Sequence, residues 1–232
     1  MRRLLVVPVA VLAVVAGCGT VTGGGPTERP RPDVDLPERA VAAPVLAGVV
    51  EAGWLGRTSG STGIPPRVLQ AYAAAESRLA EEDPACGIGW NVLAGIGQIE
   101  SIHGAVNGSR IGADGVASPP IIGIALDGDG VAAIPDTDGG RLDGDTEWDR
   151  AVGPMQFIPT TWAEWGADGD GDGRRDPQDV DDAALAAARY LCDAGVVQEK
   201  IGFTDAVLTY NRSARYARDV SSTATAYARD TA

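Results

Sequence analysis

The chain has few aromatic side chains: tryptophan, tyrosine and phenylalanine together make up 5% of its 232 residues. Alanine and glycine dominate instead, which predicts closely packed helices and many loops rather than a core of large rings. Positive charge is also scarce. Lysine and arginine number 19 against 32 aspartates and glutamates, for a net charge of −13. No basic cluster offsets this deficit, so a polyanion such as nucleic acid would be repelled. Only one histidine is present, His103, and only three cysteines. Long apolar runs are missing too: Leu4 to Val15 is too short to span a bilayer as a helix. What remains is a hydrophobic fraction of 44%, enough for the core of one domain of ordinary size.

Met1-Arg2-Arg3 and the apolar run after it have the charge and length of an export signal. Val15-Ala16-Gly17-Cys18 resembles the bacterial lipobox, in which the cysteine is lipidated and becomes the mature N-terminus. An uncleaved signal anchor and ordinary cleavage near Gly17 are the alternatives. The first reading predicts a signal peptide over 1–18 and an exported bacterial lipoprotein. Its lipid on Cys18 would hold it at the extracytoplasmic face of the cell membrane or envelope. Cys86 and Cys192 then remain as a pair in an oxidising compartment, and a disulfide is expected between them; two buried free thiols are the alternative. Residues 19–44 hold Gly23-Gly24-Gly25 and five prolines, the pattern of a flexible tether spanning roughly 30 Å. Tether and covering segment together run over 19–62, with Ser59–Gly63 expected as loop. The folded domain is expected over 63–232.

Helical spacing of Val68, Leu69, Tyr72, Ala75 and Leu79 predicts a helix from the Pro65-Pro66 start to Asp83. A second helix is expected over 88–102, with Gly104 as its closing glycine. Residues 105–150 form a loop-rich insertion, with Ile121 to Leu126 as a strand or a buried extended segment. Further helices are expected over 160–165 and 181–193. Another is capped by Thr204, and a last one by Ser213 with Tyr216, Val220 and Tyr227 along one side. No internal repeat is present.

Three constellations carry chemistry. Trp90, Leu93, Gly97 and Glu100 share one helix face, otherwise apolar or glycine. A carboxylate there loses hydration and its pKa rises, which suits a general acid. The alternative is an exposed Glu100 on an ordinary amphipathic helix. Next, the stretch from Asp168 to Asp179 has the spacing of an EF-hand loop. It places Asp168, Asp170 and Asp172 at positions 1, 3 and 5, Gly173 at 6, the Arg174 carbonyl at 7 and Asp179 at 12. The acidic pairs Asp127/Asp129, Asp136/Asp138 and Asp143/Asp145 lack one or more of these residues. The expectation is a weak, structural Ca2+ site; a solvated acidic turn is the alternative. Last, Gly153-Pro154-Met155-Gln156-Phe157 is a tight turn entering a helix with one amide side chain. Asp149-Arg150 before it could form a buried ion pair.

Together, Gly97–Gly104, Gly153–Thr161, Asp168–Asp179 and Thr209-Tyr210-Asn211-Arg212-Ser213 resemble the lytic murein transglycosylases of the membrane-bound B type. The resemblance runs from about Ile64 to Tyr227. It implies a mainly α (α+β lysozyme-like) fold: a helical catalytic domain with a long loop-rich insertion and an EF-hand-like calcium loop. The implied substrate is peptidoglycan. The MurNAc-GlcNAc β-1,4 bond is cleaved, and the muramyl 6-hydroxyl closes on the anomeric carbon to give 1,6-anhydro-MurNAc. By position Glu100 matches the catalytic glutamate, which acts as acid and then base. Gln156, Tyr210 and Asn211 match substrate-binding positions, and Met155 and Ser101 adjoin them. The partners implied are glycan strands and a membrane; no organic cofactor and a monomer are expected. One departure stands out, since Glu147 occupies the place where many relatives have serine. Two rival functions follow: a muramidase-type hydrolase in which Glu147 or Asp149 activates water, and a non-catalytic wall-binding lipoprotein. His103, beside the acid, is expected as a helix-end hydrogen-bonder rather than a catalyst.

Overall fold

The computed structural model describes residues 31–40, 42, 45–46 and 49–231. The expected signal peptide, Cys18 and the first part of the tether lie outside the described residues.

A small hairpin, β1 (Val45–Leu46) and β2 (Val49–Val50), precedes helix α1 (Ala52–Thr62). The Glu51 carboxylate caps α1 by accepting from the backbone nitrogens of Gly53 and Trp54, each at 2.8 Å. Ser59–Thr62, expected as loop, belongs to this helix. The Thr62 hydroxyl donates to the Thr58 carbonyl at 2.6 Å, and Gly63 closes the helix at φ 74°. Helix α2 (Pro66–Glu82) follows, with proline at its first turn as expected, and α3 is Trp90–Ser101. A 3₁₀ turn at Val106–Gly108 leads to the hairpin of β3 (Arg110–Ile111) and β4 (Ala117–Ser118). Strand β5 (Ile122–Ala125) pairs antiparallel with β6 (Arg150–Val152), and the acidic loops lie between them. Four helices complete the chain: α4 (Pro159–Trp165), α5 (Val180–Ala194), α6 (Lys200–Tyr210) and α7 (Ala214–Asp230). Among the described residues no helix is long and apolar enough to cross a membrane.

The core forms where α3 packs on α7 and α2 packs on α5. Helix α3 is apolar on nearly every side, so it is the central element. Trp90, Leu93 and Ile96 are fully buried, each contributing about 2 kcal/mol of apolar burial. The crossing with α7 is close because Gly95 lies against the backbone of Val220 and Ala224, where a side chain would crowd. Ser213 caps α7 as expected, its hydroxyl accepting from the Tyr216 nitrogen at 3.3 Å. Thr204 caps nothing: α6 begins at Lys200, and the Thr204 hydroxyl donates to the Lys200 carbonyl from inside the helix. The disulfide Cys86–Cys192 is present, with Cα atoms 5.3 Å apart, and ties the start of α3 to the end of α5.

The segment 31–42 departs from the tether expectation. Val34 is 1% exposed in the core. Asn91 of α3, fully buried, donates to the carbonyls of Glu38 and of Ala224 in α7, and accepts from the Ala40 nitrogen. Glu76 of α2 accepts from Arg39 and from the backbone nitrogens of Ala42 and Trp90. These residues form a strap docked across α2, α3 and α7. Prolines and polar residues disguise it, because its anchoring comes from backbone groups that any sequence has.

Candidate active site

Helix α3 ends two residues earlier than its glycine suggests. Ile102, not Gly104, takes the left-handed cap position at φ 54°, and His103 follows at φ 55°. A β-branched residue there costs about 1 kcal/mol, so the surroundings must hold it. They do so through neighbours on both sides. The Ser101 hydroxyl donates to the Pro154 carbonyl at 2.6 Å and accepts from the Gly104 nitrogen at 2.8 Å. His103 lies between two tyrosines, with Nδ1 3.1 Å from the Tyr72 hydroxyl and Nε2 2.9 Å from the Tyr227 hydroxyl. Burial pushes His103 down to about 4, so its ring is neutral at neutral pH and acts as the expected hydrogen-bonder. Tyr72 also lies beneath Gly97, where any side chain would strike its hydroxyl.

Glu100 occupies the last turn of α3. Part of its surface is open, yet protein atoms enclose its carboxyl. The Tyr216 hydroxyl from α7 donates to Oε1 at 2.6 Å. Burial raises the Glu100 carboxyl to about 7, and the Tyr216 hydrogen bond opposes the rise. Tyr210, at the end of α6, donates to the Met155 carbonyl at 2.7 Å. Its hydroxyl is held far above the ordinary tyrosine value by burial and then by the nearby Glu100 charge. The structure therefore gathers Glu100, Tyr210 and Tyr216 around one half-buried carboxyl. Sequence reasoning missed Tyr216 as the acid's partner. It appeared only as a core residue of the last helix, because its hydroxyl meets Glu100 through the α3–α7 crossing.

The remaining candidates separate. Met155 is fully buried and Ser101 is 1% exposed. Both were expected to touch substrate, and both are instead enclosed supports joining the helix end to the Gly153-Pro154 turn. Gln156 is half-buried at φ 52°, its amide donating to the Gly153 carbonyl at 3.0 Å. Among the described residues nothing donates to its Oε1. Asn211 accepts from the Ser213 nitrogen at 3.1 Å, leaving its amide NH2 group without a partner among the described residues. Asp149, one of the two proposed water activators, is fully buried, and both its oxygens accept from Thr137. It is therefore a support of the insertion. It does not pair with Arg150, which binds Asp145 at 2.8 Å instead. Glu147 is exposed on the same insertion.

In the acidic loop, Asp168, Asp170 and Asp182 bring one carboxylate oxygen each within 4.8 Å of one another. Asp179, expected as the last metal ligand, is the N-cap of α5 and accepts from the Asp181 nitrogen at 2.8 Å. Asp172 likewise stays outside the trio and accepts from the Arg174 nitrogen at 2.7 Å. Asp182 takes the place of Asp179 because one helical turn carries it back under the loop, where it accepts from the nitrogens of Gly169 and Asp176. Burial raises Asp182 to about 6, and burial with neighbouring aspartates raises Asp179 to about 7. Crowded hard oxygens of one charge suit a divalent cation such as Ca2+. Asp136 and Asp138 accept backbone N–H groups of their own turns, as Asp168 and Asp170 also do; among the described residues only the acidic loop gathers three carboxylates.

Residues 138–204 match the family model for the transglycosylase SLT domain. The match covers less than half of the chain and spans the Gln156 turn, α4, the acidic loop and α5. This agrees with the family that the motif order suggested. Among curated proteins none matches the chain. Among solved structures it is similar to SltB3 from Pseudomonas aeruginosa in complex with NAG-anhNAM-pentapeptide. The identity is 24% and the TM-score 0.32, over 60% of this chain and 40% of that one.

Proposed function

We propose that the chain is a peptidoglycan lytic transglycosylase that cleaves the MurNAc-GlcNAc β-1,4 bond and forms 1,6-anhydro-MurNAc. One observation carries this reading: a half-buried glutamate, raised to about 7 and held by a tyrosine, stands in a chain whose residues 138–204 match the transglycosylase SLT domain. Protonated near neutral pH, Glu100 donates to the glycosidic oxygen. As a carboxylate it then takes the proton of the muramyl 6-hydroxyl, whose oxygen closes on the anomeric carbon. No second carboxylate is required, unlike in ordinary glycosidases. Tyr216 holds Glu100 in one rotamer and favours the carboxylate formed after the first step. The Asn211 amide and the Gln156 Oε1 are available to N-acetyl groups.

Asp168, Asp170 and Asp182 would hold a structural Ca2+, which would bind the loop to the start of α5. The lipid anchor on Cys18 and an extracytoplasmic location complete the proposal. The test is digestion of purified sacculi. Anhydro-muropeptides in the mass spectrum, lost by at least about a hundredfold in Glu100→Gln, are expected. Reducing muramic acid ends, or an unchanged rate in Glu100→Gln, would overturn the assignment.

A further inference from the structure

Aromatic residues are scarce in this chain, yet three partly exposed rings stand in one row. Trp165 ends α4, Tyr190 lies in α5 and Tyr210 ends α6. The ring centroids of Trp165 and Tyr190 are 5.6 Å apart, and those of Tyr190 and Tyr210 are 5.8 Å apart. All three rings are half-buried. The row continues inward through Phe157 and Trp162, which are buried and belong to the core. Only the outer three keep surface open. The row begins at Tyr210, whose hydroxyl bonds the Met155 carbonyl, and Met155 lies against Gly97, one turn before Glu100 on α3. Three separate helices supply the rings, so helical periodicity does not account for the alignment. The Tyr190 hydroxyl donates to the Thr209 carbonyl at 3.1 Å, which fixes its ring. Exposed Glu164 directly precedes Trp165, and exposed Arg212 follows Tyr210 by two residues, so charged hydrogen-bonding groups flank the row in the chain.

We propose that Trp165, Tyr190 and Tyr210 form a strip that binds further N-acetyl amino sugars of a long β-1,4 glycan, beyond those held at Glu100. A pyranose ring has an apolar face of C–H groups that packs on an aromatic face, while its hydroxyls need donors and acceptors at the edge. The strip offers both, and Met155 links its inner end to the helix that carries Glu100. The inference rests on Glu100 being the reacting site.

The test uses the full chain with Glu100→Gln, so that no ligand is consumed. Binding of chitohexaose and chitotriose is measured by calorimetry, with and without Trp165→Ala. Loss of the Trp165 face should weaken chitohexaose about tenfold, as one lost stacking contact implies. Chitotriose should change by less than about twofold on the same scale. Trp165→Phe should retain chitohexaose affinity, and Trp165→Leu, which fills space without a ring, should lose it. Equal effects on both oligomers, or Phe and Leu behaving alike, would overturn the strip. Failure of the catalytic reading is separate: sacculus digestion would then give no anhydro products, whatever the oligomers do.

Discussion

At the scale of single residues, the proposed chemistry requires Glu100 to be uncharged when substrate arrives. Its folded value of about 7 lies above the ordinary 4.5. Between those values the folded state binds a proton that the unfolded state releases, so this group's contribution to stability falls as pH rises from 4.5 to 7. Glu100→Gln should therefore raise the melting temperature at pH 8 and change it little at pH 4. The difference should be on the order of 3 kcal/mol. A melting-temperature gain independent of pH would count against a raised Glu100. Tyr216 acts in the opposite sense, since its hydrogen bond favours the carboxylate. Tyr216→Phe should move the alkaline limb of the pH–rate profile upward while lowering kcat, through loss of the held rotamer. A simple packing defect would lower the rate without moving the limb.

At the scale of elements, α3 and α7 matter most, because one carries Glu100 and the other Tyr216. Asn91 joins them to each other and to the 31–42 strap. Asn91→Ala would remove the amide donor to the carbonyls of Glu38 and Ala224 and the side-chain acceptor of the Ala40 nitrogen. The expected loss is about 3 kcal/mol in denaturant unfolding. Removing residues up to 43 should cost a similar amount; a truncated chain as stable as the full one would show the strap to be passive. The strap was hidden in the sequence because many of its contacts are made by main-chain groups, at Glu38, Ala40 and Ala42, and only Val34 enters the core as an apolar side chain. The helices were legible wherever apolar spacing was regular, as at Val68, Leu69, Tyr72 and Leu79. They were misjudged where side chains hydrogen-bond the backbone. Ser59–Thr62 resembled a loop for that reason, and Thr204 resembled a cap.

At the scale of the whole molecule, part of the net charge of −13 lies in the Asp168–Asp182 loop, where cation binding would relieve it. With Ca2+ bound at Asp168, Asp170 and Asp182, folding gains the binding free energy by mass action. Calcium at a hundredfold excess over its dissociation constant should add about 2.7 kcal/mol. Chelation should lower the melting temperature, and Asp182→Asn should remove most of that calcium response. Asp172→Asn should leave it largely intact. Equal responses in both variants would return the site to the spacing expected from the sequence alone.

The sequence by itself determined the helical class, the placement of most helices and the pairing of Cys86 with Cys192, and it singled out Glu100 as the candidate acid. Each follows from local rules: apolar period, residue type or position in a motif. Only the tertiary structure decided which groups surround that acid. Tyr216 reaches Glu100 across two helices distant in sequence, and Asp182, not Asp179, joins the Asp168–Asp170 carboxylates because a helical turn brings it back beneath the acidic loop. Ser101 and Asp149 lost their expected roles because burial and committed hydrogen bonds leave them nothing to offer a substrate. Periodicity locates a side chain on its own element, whereas hydrogen-bond partners are set by how elements cross.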